Sequence, residues 1–114
     1  MPANVDRVDV LQEYLSGVMD RADHHGQNVN EIALTLAGAI VWKKDQVTDL
    51  KVMAMGGEMK NVLWFWAGGE KYAVAYNHDK KTIELRDGGT QGKVLHSFTN
   101  KTTAAQIRAA FEAL

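Results

Sequence analysis

The sequence has no cysteine, a single proline and no excess of charge of either sign. Without cysteine, the chain has no disulfide framework, no cysteine nucleophile and no thiolate metal site. The 13 basic and 14 acidic residues leave a formal net charge of −1, which disfavours a protein that coats nucleic acids or membranes through bulk charge. The longest apolar run, at 32–42, is far shorter than the roughly 20 residues of a membrane-spanning helix.

The composition that remains is typical of a folded globular protein. Hydrophobic residues make up 46% of the 114 residues, which is enough for one core, so we expect a single α+β domain over residues 1–114. The N-terminus carries Asp6 and Asp9 but no basic segment ahead of an apolar run. This is not the pattern of a signal peptide, and we expect a cytoplasmic protein that makes no membrane contact.

Two helices are predicted before the first strand. The first ends near Ala22, because apolar residues recur three and four positions apart at Val5, Val8, Leu11, Leu15, Val18, Met19 and Ala22. The second begins after Asn28–Glu31, where an asparagine side chain is available to cap the helix. Because Ile32–Ala39 is apolar nearly all round, we expect this helix to be covered on most sides. Ile40–Trp42 fits either a helix or a strand, since β-branched and aromatic residues favour strands.

Beyond Lys44 the apolar period changes to two, which is typical of strands. The strands are predicted at 47–55, 61–67, 71–76, 82–86 and 93–98, with turns rich in glycine or asparagine between them. Thr103 and Gln106 then have the spacing of a capping box at the start of a last helix. The sequence predicts an α+β fold with two N-terminal helices, an antiparallel meander sheet of four to five strands, and a C-terminal helix packed on the sheet.

Turn lengths predict which side chains share a face of this sheet. A two-residue turn at Gly68-Gly69 pairs Phe65 with Tyr72 and Trp64 with Ala73, and a loop over 78–81 pairs Val74 with Leu85. One face of the sheet is then a core, formed by Leu63, Phe65, Tyr72, Val74, Tyr76, Ile83 and Leu85.

The opposite face is the better candidate for a function. It holds Val62, Trp64, Trp66, Lys71, Ala73, Ala75, Glu84 and Arg86, and a turn at Gly56-Gly57 adds Met53 and Met55. A helix covering this face would make its tryptophans ordinary core residues. Alternatively the face is an interface between copies of the chain or a pocket for a small apolar ligand, because tryptophan, methionine and arginine are enriched at such sites. The candidate residues are Met53, Met55, Trp64, Trp66 and Arg86.

A polar site is the second hypothesis. His78 at a hairpin tip, His96 on the last strand, and the neighbouring Glu84 and Arg86 could serve a small metal-dependent or histidine-based hydrolase. The same residues also have structural interpretations: a turn for His78, a partly buried histidine for His96, and an ion pair for Glu84 with Arg86. The sequence has no nucleophile elbow, no HExxH and no paired carboxylates, so we predict no metal and no cofactor.

A nucleic-acid site is the hypothesis that the charge balance supports least. The residues of such a site would be Lys43, Lys44, Lys51, Lys60, Lys80 and Lys81.

Several segments resemble the small proteins carried in integron gene cassettes. They are LAGAIVWKKD at 36–45, NVLW at 61–64, YNH at 76–78, IELR at 83–86 and GKVLHSF at 92–98. The resemblance covers about residues 30 to 100 and implies a bacterial, cytoplasmic accessory protein from a mobile genetic element, of α+β type and homo-oligomeric. It assigns no reaction and no catalytic residue. Together with the residue patterns, it favours a non-enzymatic homo-oligomeric binding module over a small hydrolase.

Overall fold

The computed structural model of the chain describes residues 12, 13, 15–20, 28–46, 48, 50–52, 62–77 and 79–114. Its elements are α1 (Ile32–Lys43), β1 (Lys51–Val52), β2 (Val62–Ala67), β3 (Glu70–Asn77), β4 (Thr82–Asp87), β5 (Val94–Phe98) and α2 (Ala104–Glu112). The strands form one sheet in the order β1-β2-β3-β4-β5, and all neighbouring pairs are antiparallel. The predicted α+β fold with a meander sheet is confirmed.

The N-terminal helices agree with the prediction where they are described. Residues 12, 13 and 15–20 are helical, and the rest of the predicted first helix lies outside the described residues. The ambiguous Ile40–Trp42 is helical, because α1 continues to Lys43. None of the helices in the described part of the chain is both long and apolar enough to cross a membrane.

The β2–β3 hairpin has the predicted register, with Phe65 opposite Tyr72 and Trp64 opposite Ala73. Its two turn residues have positive φ, 60° at Gly68 and 80° at Gly69, which glycine adopts without a steric penalty. The carboxylate of Asp45, which follows α1, accepts hydrogen bonds from the amides of Gly68 (2.8 Å) and Gly69 (2.9 Å). Asp45 therefore ties the end of α1 to the hairpin turn.

The β3–β4 hairpin also has the predicted register, with Val74 opposite Leu85. Asn77 organises its loop, because its side-chain oxygen accepts from the amides of Asp79 and Lys80 at 3.0 and 3.1 Å. Lys81 closes the loop in the left-handed region at φ 57°, and its amide donates to the Asn77 carbonyl at 2.7 Å.

The core lies between one face of the sheet and the two helices. Phe65, Leu85 and Phe111 are fully buried, and the Phe111 ring is 6.2 Å from Phe65 and 6.3 Å from Phe98, centroid to centroid. From α1 the same cluster takes Ile32, Leu36 and Ile40. The predicted core face is confirmed, since its remaining members are half-buried against the cluster: Val74, Tyr76 and Ile83.

Coverage of α1 differs from the prediction. Its buried residues, Ile32, Ala33, Leu36 and Ile40, lie on one side of the helix, whereas Leu34, Val41 and Trp42 are 55%, 51% and 55% exposed. The prediction that this helix is covered on most sides is wrong. Both α1 and α2 belong to one outer layer on the core face of the sheet, so the far side of α1 points away from the core.

Capping of α1 also differs from the prediction. The Glu31 side chain makes no capping bond. Instead, the side-chain oxygen of Asn100, from the loop after β5, accepts from the amides of Glu31 (2.9 Å) and Ile32 (3.0 Å). At α2 the predicted capping box is confirmed, with reciprocal bonds between Thr103 and Gln106 of 3.1 and 2.8 Å.

Candidate functional site

The sheet face opposite α1 and α2 carries the two tryptophans that the sequence singled out. Trp64 lies between Lys51 of β1 and Ala73 of β3, and Ala73 is followed across the sheet by Arg86. Both Trp64 and Trp66 are half-buried. We call this surface the tryptophan face; it comprises Lys51, Trp64, Trp66, Lys71, Ala73, Glu84 and Arg86. Met53 and Met55, also predicted for it, lie outside the described residues.

Two lysines flank the ring of Trp66. The ammonium nitrogens of Lys51 and Lys71 each lie 5.5 Å from the ring centroid, within the range of a cation–π interaction. Both lysines are exposed, so their charges remain available to solvent. The tryptophan face therefore combines a partly buried indole ring with two positive charges.

The predicted ion pair between Glu84 and Arg86 forms on the same face. Glu84 is 3% exposed, and its Oε1 accepts from Arg86 Nη2 at 2.6 Å and Nε at 3.2 Å. Its Oε2 accepts from the side-chain amide of Asn77 at 3.2 Å. Arg86 Nη1 donates to the carbonyl of Gly92 at 3.0 Å. Each of the three guanidinium nitrogens therefore donates a hydrogen bond to Glu84 or to Gly92.

The surroundings of Glu84 stabilise its ionised form. Burial alone would raise the pKa of its carboxyl, but the hydrogen bonds from Arg86 and Asn77 and the charges of Arg86 and Lys80 outweigh burial and lower that pKa below its ordinary value. Glu84 is therefore a charged structural group at neutral pH and holds no proton to donate as a general acid.

Among the described residues of the polar hypothesis, His96 lies apart from Glu84 and Arg86. Strand register places His96 opposite Leu85, on the core face, whereas Glu84 and Arg86 belong to the tryptophan face. His96 is exposed beside Phe98, with ring centroids 6.0 Å apart, so the expectation that it is partly buried is wrong. The reason is that β5 is an edge strand. His78 lies outside the described residues.

Among the described residues there is no group of three or more histidine, aspartate or glutamate side chains that could hold a metal ion. The lysines of the nucleic-acid hypothesis lie on separate elements: Lys43 and Lys44 at the end of α1, Lys51 in β1, and Lys80 and Lys81 in the β3–β4 loop. Lys60 lies outside the described residues.

A groove between α1 and α2 is a feature that the sequence did not predict. It has a volume of about 440 Å³ and is lined by Thr35, Gly38, Ala39, Trp42, Ala104, Ile107 and Arg108. The signal available in the sequence was an α1 with no charged residue between Ile32 and Trp42. That pattern shows an excess of apolar surface but not which part of it remains exposed.

Residues 11–108 match the family described as "Integron cassette protein VCH_CASS1 chain". The chain belongs to this integron cassette protein family. The match confirms the resemblance and extends it at both ends, since the resemblance covered about residues 30 to 100. No curated protein that was compared matches the chain. The segment shared with the integron cassette family contains α1 and all five strands, and hence the whole tryptophan face and all residues that line the groove.

Proposed function

We propose that this integron cassette protein is a non-catalytic, homo-oligomeric accessory module that binds a partner or a small apolar ligand on its tryptophan face. One observation carries the proposal. Both α1 and α2 pack on the core face, and on the opposite face Trp64 and Trp66 are only partly buried. Aromatic rings in such a position supply a large contact area with few rotatable bonds, which is why they dominate binding surfaces.

The chemistry around Trp66 narrows the class of ligand. A flat apolar group can stack on the indole ring, and an anionic substituent on that group can reach the ammonium of Lys51 or Lys71. Each guanidinium nitrogen of Arg86 already donates one hydrogen bond, to Glu84 or to Gly92, so we assign recognition of the charged group to the lysines first. We therefore expect an apolar or aromatic ligand that carries a negative charge.

Binding is favoured over hydrolysis by the placement of the ionisable groups. The carboxylate of Glu84 is buried and engaged with Arg86 and Asn77. His96 lies on the other face of the sheet, so Glu84 and His96 cannot act on one bond.

Self-association is supported by the apolar surface of α1. Leu34, Val41 and Trp42 are each more than half exposed on one helix, and clustered exposed apolar residues are characteristic of interaction surfaces. Light scattering on the purified chain tests this part of the proposal. We expect a mass above that of the 12.6 kDa monomer that increases with concentration; a monomer at every concentration would contradict it.

The binding part is tested with anilinonaphthalene sulfonate, a fused aromatic probe that carries one negative charge. We expect Trp66→Ala to weaken probe binding by about fivefold or more, since an aromatic contact contributes about 1 kcal/mol. Trp42→Ala is the matched control, because it removes an exposed tryptophan from α1 instead. Loss of binding in Trp42→Ala with unchanged binding in Trp66→Ala would place the probe in the groove and refute the proposed site. Circular dichroism verifies that both variants fold.

A further inference from the structure

The exposed surface of α1 is a single continuous stripe centred on Gly38. Successive residues in a helix are rotated by about 100°, so six residues lie within about 60° of Gly38 around the axis. They are Glu31, Leu34, Thr35, Gly38, Val41 and Trp42, and every one of them is exposed. We call this set the Gly38 stripe.

The stripe is symmetric about its central glycine. Leu34 precedes Gly38 by four residues and Trp42 follows it by four, so each lies about 6 Å from it along the axis. The two flanking side chains are equally exposed, at 55%. If a second copy of α1 lies antiparallel across the first at Gly38, Leu34 of each copy falls beside Trp42 of the other. The largest exposed apolar groups would then cover one another in two equivalent contacts.

Gly38 suits the centre of such a crossing. A Cβ added to Gly38 would meet no described atom within 4 Å beyond its own chain neighbours and helix backbone, so packing within the chain does not require glycine at this position. Glycine in a helix interior destabilises the helix relative to alanine. A close approach by a second backbone would give the glycine a role, as at helix pairs that cross at small residues.

The charges that flank the stripe are complementary under the same symmetry. Glu31 is exposed at the N-terminal end, and the ammonium of Lys43 lies 5.5 Å from the ring of Trp42 at the C-terminal end. An antiparallel crossing brings Glu31 of one copy toward Lys43 of the other, and it also sets the opposed ends of two helix dipoles side by side. No charged residue lies between Glu31 and Lys43 on α1, so the helix itself places no like charges at the twofold axis.

We propose that two copies of this chain associate through the Gly38 stripe, with the two α1 helices antiparallel and crossing at Gly38. The inference rests on the homo-oligomer of the proposed function and locates its interface away from the tryptophan face. Leu34, Val41 and Trp42 together supply less surface area than the ~800 Å² that each partner buries in a stable interface. The adjoining groove residues Ala104 and Arg108 add contact, and we expect a dimer that dissociates on dilution.

A cysteine cross-link tests the geometry directly, because the natural chain has no cysteine. In Gly38→Cys the two thiols meet at the twofold axis, and we expect rapid disulfide-linked dimer under mild oxidation. Ala109→Cys, at an exposed position of α2 outside the groove lining, is the matched control. Equal cross-linking of the two variants, or none in Gly38→Cys, would overturn the proposal.

A charge substitution gives an independent readout. Gly38→Lys sets two positive charges against each other at the axis, and we expect sedimentation to show dimerisation weakened by at least about tenfold. Ala109→Lys adds the same charge and leaves dimerisation unchanged. If Gly38→Lys folds and still dimerises, the interface lies elsewhere and the proposed homo-oligomer stands. If the natural chain never dimerises, the Gly38 interface and the proposed homo-oligomer are both refuted. Probe binding to the tryptophan face is tested separately.

Discussion

Asn100 controls the start of α1 from the opposite end of the sequence, and removing its side chain should destabilise the whole fold. Its oxygen accepts from the amides of Glu31 and Ile32 at 2.9 and 3.0 Å, and its nitrogen donates to Asn30 at 2.9 Å. These bonds join the loop between β5 and α2 to a helix that contributes a large part of the core. Asn100→Ala leaves two amides at the first turn of α1 without this acceptor.

The expected loss follows from the bonds removed. Replacing a capping asparagine by alanine costs about 0.5–2 kcal/mol, and one oxygen that serves two amides belongs at the upper end, about 1.5–2 kcal/mol. For a domain of this size, a loss of that magnitude lowers the melting temperature by roughly 5–10 °C. Urea denaturation measures the free energy of unfolding, and hydrogen exchange at Ile32 measures the local protection.

Asn100→Asp is the matched control. An aspartate keeps the acceptor and adds a negative charge near the positive end of the helix dipole, so we expect it to retain most of the stability although it loses the bond to Asn30. Equal stability of Asn100→Ala and the natural chain, or equal losses in both variants, would refute the assignment of Asn100 as the cap of α1.

Two further predictions concern buried or clamped carboxylates. Asp45→Ala removes the acceptor for both turn amides of Gly68-Gly69 and should lower the free energy of unfolding in urea by about 1–3 kcal/mol, with Asp45→Asn intermediate; no loss would show that the clamp is dispensable. For Glu84 the folded-state pKa lies below the ordinary 4.5, so the unfolded chain binds the proton more readily and stability falls as the pH drops through and below that value. Glu84→Gln should reduce this acid sensitivity and cost about 1–3 kcal/mol at neutral pH; an unchanged acid profile would contradict the assignment.

Local patterns were sufficient to predict most of the fold and much of the candidate site. The Gly68-Gly69 turn determines the register of β2 with β3, and register determines that Trp64 and Trp66 share a face with Ala73 and not with Phe65. The Glu84–Arg86 ion pair follows from the same alternation. These features depend on a few neighbouring residues, and turn chemistry and side-chain period are sufficient to encode them.

Other features depend on where distant segments meet, and only the tertiary structure decided them. Apolar periodicity predicted α1, but its packing on the core face determined that Leu34 and Trp42 remain exposed. The cap of α1 comes from Asn100 because the loop after β5 passes its first turn. His96 and Glu84 were grouped by chemistry and separated by the sheet between them. A sequence specifies local conformation through short-range sterics and hydrogen bonding, whereas exposure and long-range partners depend on how the helices pack on the sheet.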